Sequence, residues 1–137
     1  MRRIYWLLLM PLFAGSCTVP PETLPVQPLP LNGQADYAGL VTRARLQASN
    51  ATDAFYVDKW TDLEESARAL KDSAGLLAKA ADVPAKHKDK LPATAGELAK
   101  DADQLREAAK AQDVKKANEI LQRIQFNIRT LRPAKTD

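Results

Sequence analysis

The spacing of apolar residues constrains the fold of this chain more than any other feature, because alternating steps of three and four recur through most of the sequence. Three series show it: Tyr56, Trp60, Leu63, Ala67, Leu70, Ala74, Leu77, Ala81; Leu91, Ala95, Leu98, Ala102, Leu105, Ala109; and Val114, Ala117, Leu121, Ile124, Ile128, Leu131. This spacing places apolar side chains on one side of an α-helix, whereas a strand needs a period of two. The pattern therefore predicts helices that pack side by side at a shallow angle.

A fourth, weaker series of the same spacing precedes these three: Tyr37, Val41, Ala44, Ala48 and Ala51. The residues that follow include Asn50, Thr52 and Asp53, which prefer caps and turns to helix interiors. We therefore predict a turn near residues 50–53. The fold class is all-α, an antiparallel up-and-down four-helix bundle over residues 36–133. The alternative is a three-helix arrangement with one long, kinked helix.

Proline and aspartate mark the other predicted helix ends. Asp82-Val83-Pro84 ends the second helix, and Pro84 suits the first position of the next helix. Pro92 marks the start of the third helix or a kink in it. Asp113 is a good N-cap for the last helix, which Pro133 closes. Connections this short make consecutive helices antiparallel.

The first 16 residues have the composition of an export signal. Arg2 and Arg3 supply positive charge, residues 4–13 are apolar, and small residues lead to Cys17, which is the only cysteine of the chain. The apolar run is shorter than the roughly 20 residues that cross a bilayer. We therefore predict a signal peptide over residues 1–16.

The residues around Cys17 resemble the lipobox of bacterial lipoproteins. Gly15, Ser16 and Cys17 match that pattern, and Ala14 stands where the family usually has leucine. The resemblance implies that Cys17 is lipidated, that the chain is cut just before it, and that the acyl chains hold the protein to a membrane. Thr18 replaces the aspartate that resembles an inner-membrane retention signal, which favours the outer membrane, facing the periplasm. The alternative is an ordinary cleaved signal beside an unpaired cysteine.

Residues 17–35 are predicted to form a proline-rich linker behind the lipid. They contain five prolines and one charged residue, Glu22. Such a segment favours polyproline II and extends by roughly 55 Å at most.

The net charge of the chain is small once Arg2 and Arg3 are set aside, because 18 basic residues then stand against 17 acidic ones. This near balance gives no support for binding to nucleic acid.

Parts of the bundle sequence resemble the cytochrome c-prime-like class of periplasmic four-helix bundles. Residues 60–70 resemble its second helix, residues 110–114 its turn into the last helix, and Leu131-Arg132 the pair that follows its haem-attachment motif. By that register the attachment positions fall on Ile124, Asn127 and Ile128. None of the three forms a thioether or binds iron, so the resemblance implies a bundle without its haem, and we predict no cofactor.

The sequence offers little to build a catalytic or metal site. It has no Glu-x-x-His motif, and its only histidine, His87, is expected on the surface among lysines. With so few Cys and His residues, a zinc site is not expected either. Asp58, Asp62 and Glu65 share one predicted helical face, which we interpret as a solvated charged face in preference to a weak cation site. We therefore predict a protein that is not an enzyme.

Phe126 is the one apolar residue that suggests a partner surface, because it falls opposite the apolar stripe of the last helix. A neighbouring side chain covering it is the alternative. We predict a non-enzymatic envelope lipoprotein, anchored through Cys17, whose bundle is a binding or structural module, with an envelope protein or a second copy of itself as the candidate partner. The alternatives are a carrier of haem or a small apolar ligand, with Tyr37 or Tyr56 as ligand, and a periplasmic sensor or assembly factor.

Overall fold

The structure is a computed structural model that describes residues 36–132. The predictions about the signal peptide, Cys17, the linker and Pro133 concern residues outside that range. The described elements are α1 (Tyr37–Tyr56), α2 (Trp60–Leu77), α3 (Ala85–Lys88), α4 (Leu91–Lys110) and α5 (Val114–Thr130). Between residues 36 and 132 every regular element is helical, which confirms the predicted all-α class.

The four long helices form the predicted antiparallel up-and-down bundle. Helix α2 packs against α1 and α4, and α5 packs against α4 and returns to α1, so the four helices close a ring. Helix α3 is a single turn within the connection between α2 and α4, and it contacts α4.

The predicted turn near residues 50–53 is wrong, because α1 continues to Tyr56. Ala48, Ala51 and Ala54 are all buried on the inner side of α1, so packing favours helix there. The Thr52 hydroxyl donates to the Ala48 carbonyl at 2.9 Å, which satisfies it inside the helix. The alternative of one long helix is also wrong, since α1 and α2 are separated by the turn 57–59.

The second connection begins earlier than predicted. Helix α2 ends at Leu77 and not at Asp82, and Pro84 is the N-cap of α3 instead of its first residue. Pro92 is the second residue of α4, where its missing N–H costs no hydrogen bond. Asp113 is the N-cap of α5 as predicted, and its carboxylate accepts from the Lys116 N–H at 3.0 Å.

The core is built from leucine and isoleucine separated by alanine. Its fully buried large apolar side chains are Tyr37, Leu63, Leu70, Leu77, Leu98, Leu105, Ile120 and Ile124. The alanines between them allow the helix axes to approach closely. Truncating one such leucine to alanine typically costs about 2–5 kcal/mol. Tyr56, Ala81 and Val114 belong to the predicted series but are exposed, because they lie at or beyond helix ends.

Hydrogen bonds from Tyr37 and His87 close the end of the bundle where α1 begins and α5 ends. The Tyr37 N–H donates to Asp82 Oδ1 at 2.8 Å, and its hydroxyl donates to the Leu131 carbonyl at 2.6 Å. The His87 ring stacks on Tyr37 with centroids 5.9 Å apart, and its Nε2 lies 3.0 Å from the Arg132 carbonyl. We call these five residues the Tyr37 latch.

The latch corrects the expectation that His87 is a solvated surface residue. Only 8% of His87 is exposed. Its lysine neighbours are exposed, but the single turn of α3 directs the imidazole towards Tyr37 and the end of α5. The run of lysines concealed this orientation in the sequence.

Candidate functional site

Phe126 lies on α5 with 68% of its surface exposed. It borders an open groove of about 860 Å³ between α4 and α5. The α4 side of the groove carries Glu97 and Lys100, and the α5 side carries Glu119 and Gln122. We call this the Phe126 groove. An exposed aromatic ring beside polar groups is typical of surfaces that bind other proteins.

The floor of the Phe126 groove is a connected set of polar side chains around Asp101, a residue of α4 that is almost fully buried. Asp101 Oδ1 accepts from Arg123 Nε at 3.0 Å and lies 2.9 Å from Arg123 Nη2. Asp101 Oδ2 accepts from Asn127 Nδ2 at 3.4 Å. Arg123 Nη2 also donates to Gln104 Oε1 at 2.7 Å. A buried carboxylate paired in this way holds α4 and α5 in a fixed register.

Further ion pairs join α4 to α2 on the other side. Lys71 Nζ lies 2.8 Å from Asp103 Oδ2, and Arg106 Nε lies 3.3 Å from Glu64 Oε1. These pairs are partly exposed, so each contributes between nothing and about 1 kcal/mol. Their geometric effect is to hold α4 against α2 while α5 packs on α4. The Phe126 groove is therefore built on helices and not on loops.

The two tyrosines considered as haem ligands occupy opposite environments. Tyr37 is buried, and its hydroxyl already donates to Leu131. Burial raises the pKa of this phenol above its ordinary value of 10.0, which disfavours the phenolate that binds iron. Tyr56 is 73% exposed at the end of α1. Neither tyrosine lines the Phe126 groove.

The three positions that the cytochrome resemblance aligned with haem attachment have structural roles. Ile124 and Ile128 are buried in the core. Asn127 lines the Phe126 groove and donates to Asp101. Each of the three side chains is thus engaged in packing or in a hydrogen bond within the bundle.

The acidic residues Asp58, Asp62 and Glu65 do not share a helical face as expected. Asp58 lies in the turn before α2, where its φ is +56°. Asp62 and Glu65 lie in α2, and Asp62 is 3.8 Å from Lys59. In the part of the chain that the structure describes, no group of three or more His, Cys, Asp or Glu side chains is arranged to hold a metal ion.

Sequence reasoning missed Asp101 and its partners, although a signal was present. Asp101 lies three residues after Leu98 and four before Leu105, so it belongs to the buried side of α4. A carboxylate in an apolar stripe needs a cationic partner. Arg123 supplies it, but only the pairing of α4 with α5 identifies which arginine does so.

No family model, curated protein or solved structure matches this chain. Among the described helices, none is both long enough and apolar enough to cross a membrane.

Proposed function

We propose that this protein is a lipid-anchored lipoprotein of the bacterial envelope whose bundle acts, without catalysis, as a binding module for a protein partner. The observation that carries the proposal is the exposure of Phe126 on the rim of the Phe126 groove. The partner is an envelope protein or a second copy of this chain.

The chemistry of the Phe126 groove favours protein recognition. Burying a phenylalanine side chain contributes about 1.5–3 kcal/mol. Asp101 and Arg123 already hold each other, so they retain their geometry when a partner arrives. The charges on the rim, Glu97, Lys100 and Glu119, are of both signs and are free to select a complementary partner. Exposed aromatic residues beside polar and charged side chains are enriched at protein interfaces.

The membrane anchor rests on the lipobox resemblance of residues 15–17 and on the proline-rich linker behind it. One acyl chain holds a protein only marginally, whereas two or three chains on one residue give a stable tether. The linker would let the bundle reach partners at some distance from the lipid. Outer-membrane attachment, facing the periplasm, is part of the proposal.

Native mass spectrometry of the protein extracted gently from its own membranes tests the anchor. We expect the mass of residues 17–137 plus acyl chains, and the Cys17→Ser chain is expected to lose the acyl mass. An unlipidated wild-type mass contradicts the anchor.

The partner surface is tested with Phe126→Ala and with Tyr56→Ala as the matched control, since Tyr56 is equally exposed but lies in α1, away from the groove. The readouts are analytical ultracentrifugation for self-association and chemical crosslinking in intact membranes for another protein. We expect Phe126→Ala to weaken the complex at least tenfold, about 1.4 kcal/mol, and Tyr56→Ala to leave it unchanged. Equal effects of both changes, or no complex with the wild-type chain, would contradict the proposal.

A further inference from the structure

A second groove, between α1 and α5, differs from the Phe126 groove in its charge. It has a volume of about 460 Å³, and three arginines line it: Arg45 from α1, Arg129 from α5, and Arg132, which follows α5. Thr42 and Ser49 add two hydroxyl groups on the α1 side. We call it the arginine groove. Its lining contains no acidic residue among those that the structure describes.

The three arginines have no counter-ion within residues 36–132. Arg106 and Arg123 pair with carboxylates, but none of Arg45, Arg129 and Arg132 does so in this range. Like charges gathered at one concave site repel one another unless an anion joins them. The planar guanidinium group matches phosphate oxygens with two parallel hydrogen bonds, and the Ser49 hydroxyl is an additional donor to such oxygens. The Thr42 hydroxyl already donates to the Ala38 carbonyl at 2.9 Å.

The arginine groove extends from the middle of α1 towards the end of the bundle where the chain enters. Asp36 precedes α1 and Arg132 follows α5, and the Tyr37 latch holds these two ends together. The predicted linker ends at residue 35, directly before this end.

Charge is distributed unequally along the whole bundle. When the four long helices are divided at their midpoints, the half that contains the latch comprises residues 36–46, 69–100 and 122–132. This entry half has 11 basic and 5 acidic residues, and the far half has 6 basic and 10 acidic ones. This excess of positive charge extends over half of the bundle, which is a larger area than one bound phosphate ion covers. A positive area of this size is complementary to an extended anionic surface.

Leu46 gives the arginine groove an apolar border, since 43% of it is exposed between Arg45 and Gln47. Phosphate groups beside apolar chains are the chemistry of a phospholipid surface. We propose that the arginine groove binds the phosphate headgroups of an anionic phospholipid bilayer and seats the entry half of the bundle on the membrane. This inference rests on the proposed function, because the lipid on Cys17 is what brings the bundle to the bilayer.

The test measures vesicle binding of the full chain carrying Cys17→Ser, so that no acyl group contributes. The groove variant adds Arg45→Gln, Arg129→Gln and Arg132→Gln. The matched control adds the same loss of charge in the far half, through Lys59→Gln, Lys115→Gln and Lys116→Gln. Circular dichroism and thermal unfolding first establish that both variants remain folded. Because residues 1–16 are common to all three chains, the differences between them report on the bundle.

We expect vesicles of phosphatidylcholine with phosphatidylglycerol to bind the parent and control chains in a salt-dependent manner. The groove variant should bind the same vesicles at least about tenfold more weakly. Vesicles of phosphatidylcholine alone should show no such difference. Equal binding of the groove and control variants overturns the inference. Binding of inorganic phosphate at the groove without a preference for anionic vesicles also overturns it, because the ligand is then the free ion.

These outcomes are separable from those of the proposed function. If native mass spectrometry finds no acyl chains but the groove variant loses vesicle binding, the anchor fails and the arginine groove stands. If acyl chains are found and the two variants bind alike, the anchor stands and the arginine groove fails.

Discussion

At the scale of single residues, Tyr37 illustrates how a position in an apolar pattern can carry a polar role. Its place at the start of the first series indicates burial, and it is buried. The sequence does not reveal that its hydroxyl reaches Leu131, which is 94 residues away. That contact depends on how α5 returns to α1, and therefore on the assembled bundle.

We expect Tyr37→Phe to lower the free energy of unfolding by about 1–2 kcal/mol, because the buried Leu131 carbonyl loses its donor. Urea denaturation followed by circular dichroism measures the change. Tyr56→Phe is the control, since Tyr56 is exposed and should change stability by less than about 0.5 kcal/mol. A Tyr37→Phe protein as stable as the parent would mean that water replaces the lost donor.

The burial of Tyr37 also predicts that the stability of the folded chain depends on pH in the alkaline range. Burial raises the pKa of Tyr37 in the folded chain above 10.0, the value that an unfolded chain retains. The folded state therefore holds this proton more tightly, and its contribution to stability is complete below pH 10 and is lost as pH rises through the folded pKa. We expect the stability of the parent chain to fall more steeply above pH 10 than that of Tyr37→Phe. Parallel pH profiles for the two chains would contradict this.

Gln47 is a buried polar residue that, unlike Tyr37, lacks a side-chain hydrogen bond within the described residues. It is 1% exposed on α1, and neither its amide nitrogen nor its amide oxygen has a hydrogen-bond partner among residues 36–132. A buried polar group without partners costs about 1–3 kcal/mol. We expect Gln47→Leu to raise the free energy of unfolding by an amount of that order. Gln122→Leu, at an exposed position of α5, should leave it nearly unchanged. A destabilised Gln47→Leu chain would indicate that the amide has a partner such as buried water.

At the scale of helices, the ends were harder to predict than the helices themselves. Both α1 and α4 end in a left-handed residue that is not glycine, Asp58 with φ +56° and Gln112 with φ +52°. Two backbone hydrogen bonds close each helix. At the end of α1 the Asp58 N–H donates to the Phe55 carbonyl and the Lys59 N–H to the Ala54 carbonyl. At the end of α4 the Gln112 N–H donates to the Ala109 carbonyl and the Asp113 N–H to the Ala108 carbonyl. This is the Schellman arrangement, which usually has glycine at the left-handed position. Without glycine as a signal, the end of α1 was predicted too early.

We expect Gln112→Gly to stabilise the protein by up to about 1 kcal/mol, because the left-handed conformation strains a residue with a Cβ atom. Asp58→Gly should stabilise it less, since aspartate tolerates this conformation better. Gln122→Gly, inside α5, is the control with opposite sign and should cost about 1 kcal/mol. Thermal unfolding measures all three. Destabilisation by Gln112→Gly would show that flexibility in the unfolded chain outweighs the strain.

At the scale of the whole molecule, the helical spacing predicted the all-α class, and the short connections predicted the antiparallel order. Four long helices were also predicted, although the turn that separates the first two lies at residues 57–59 and not at 50–53. The buried stripes contain the expected residues, such as Leu63, Leu98 and Ile124. The two grooves were not predictable to the same degree. Phe126 was identified from its helical position, whereas the arginine groove joins Arg45 to Arg129 and Arg132 across two helices. Such a grouping depends on which helix faces are neighbours, and a periodicity does not contain that information.

Through the Tyr37 latch, the single turn of α3 contributes to holding the start of α1 and the end of α5 together. His87 lies in the four-residue α3, yet it contacts Tyr37 of α1 and the Arg132 carbonyl at the end of α5. A helix of this length has little stability of its own, so the latch depends on tertiary contacts. Loss of the imidazole should therefore loosen the start of α1 and the end of α5 together, although Tyr37 and Arg132 are each 45 or more residues away from His87 along the sequence.

We expect His87→Ala to speed amide hydrogen exchange in the first turn of α1 and the last turn of α5, while the middle of each long helix stays protected. Lys86→Ala is the control, because Lys86 lies in the same turn but is exposed. Hydrogen exchange followed by mass spectrometry resolves these segments. If only α3 exchanged faster, the latch would be a local contact. Faster exchange at both ends would establish that one histidine joins the beginning of the bundle to its end, next to the arginine groove.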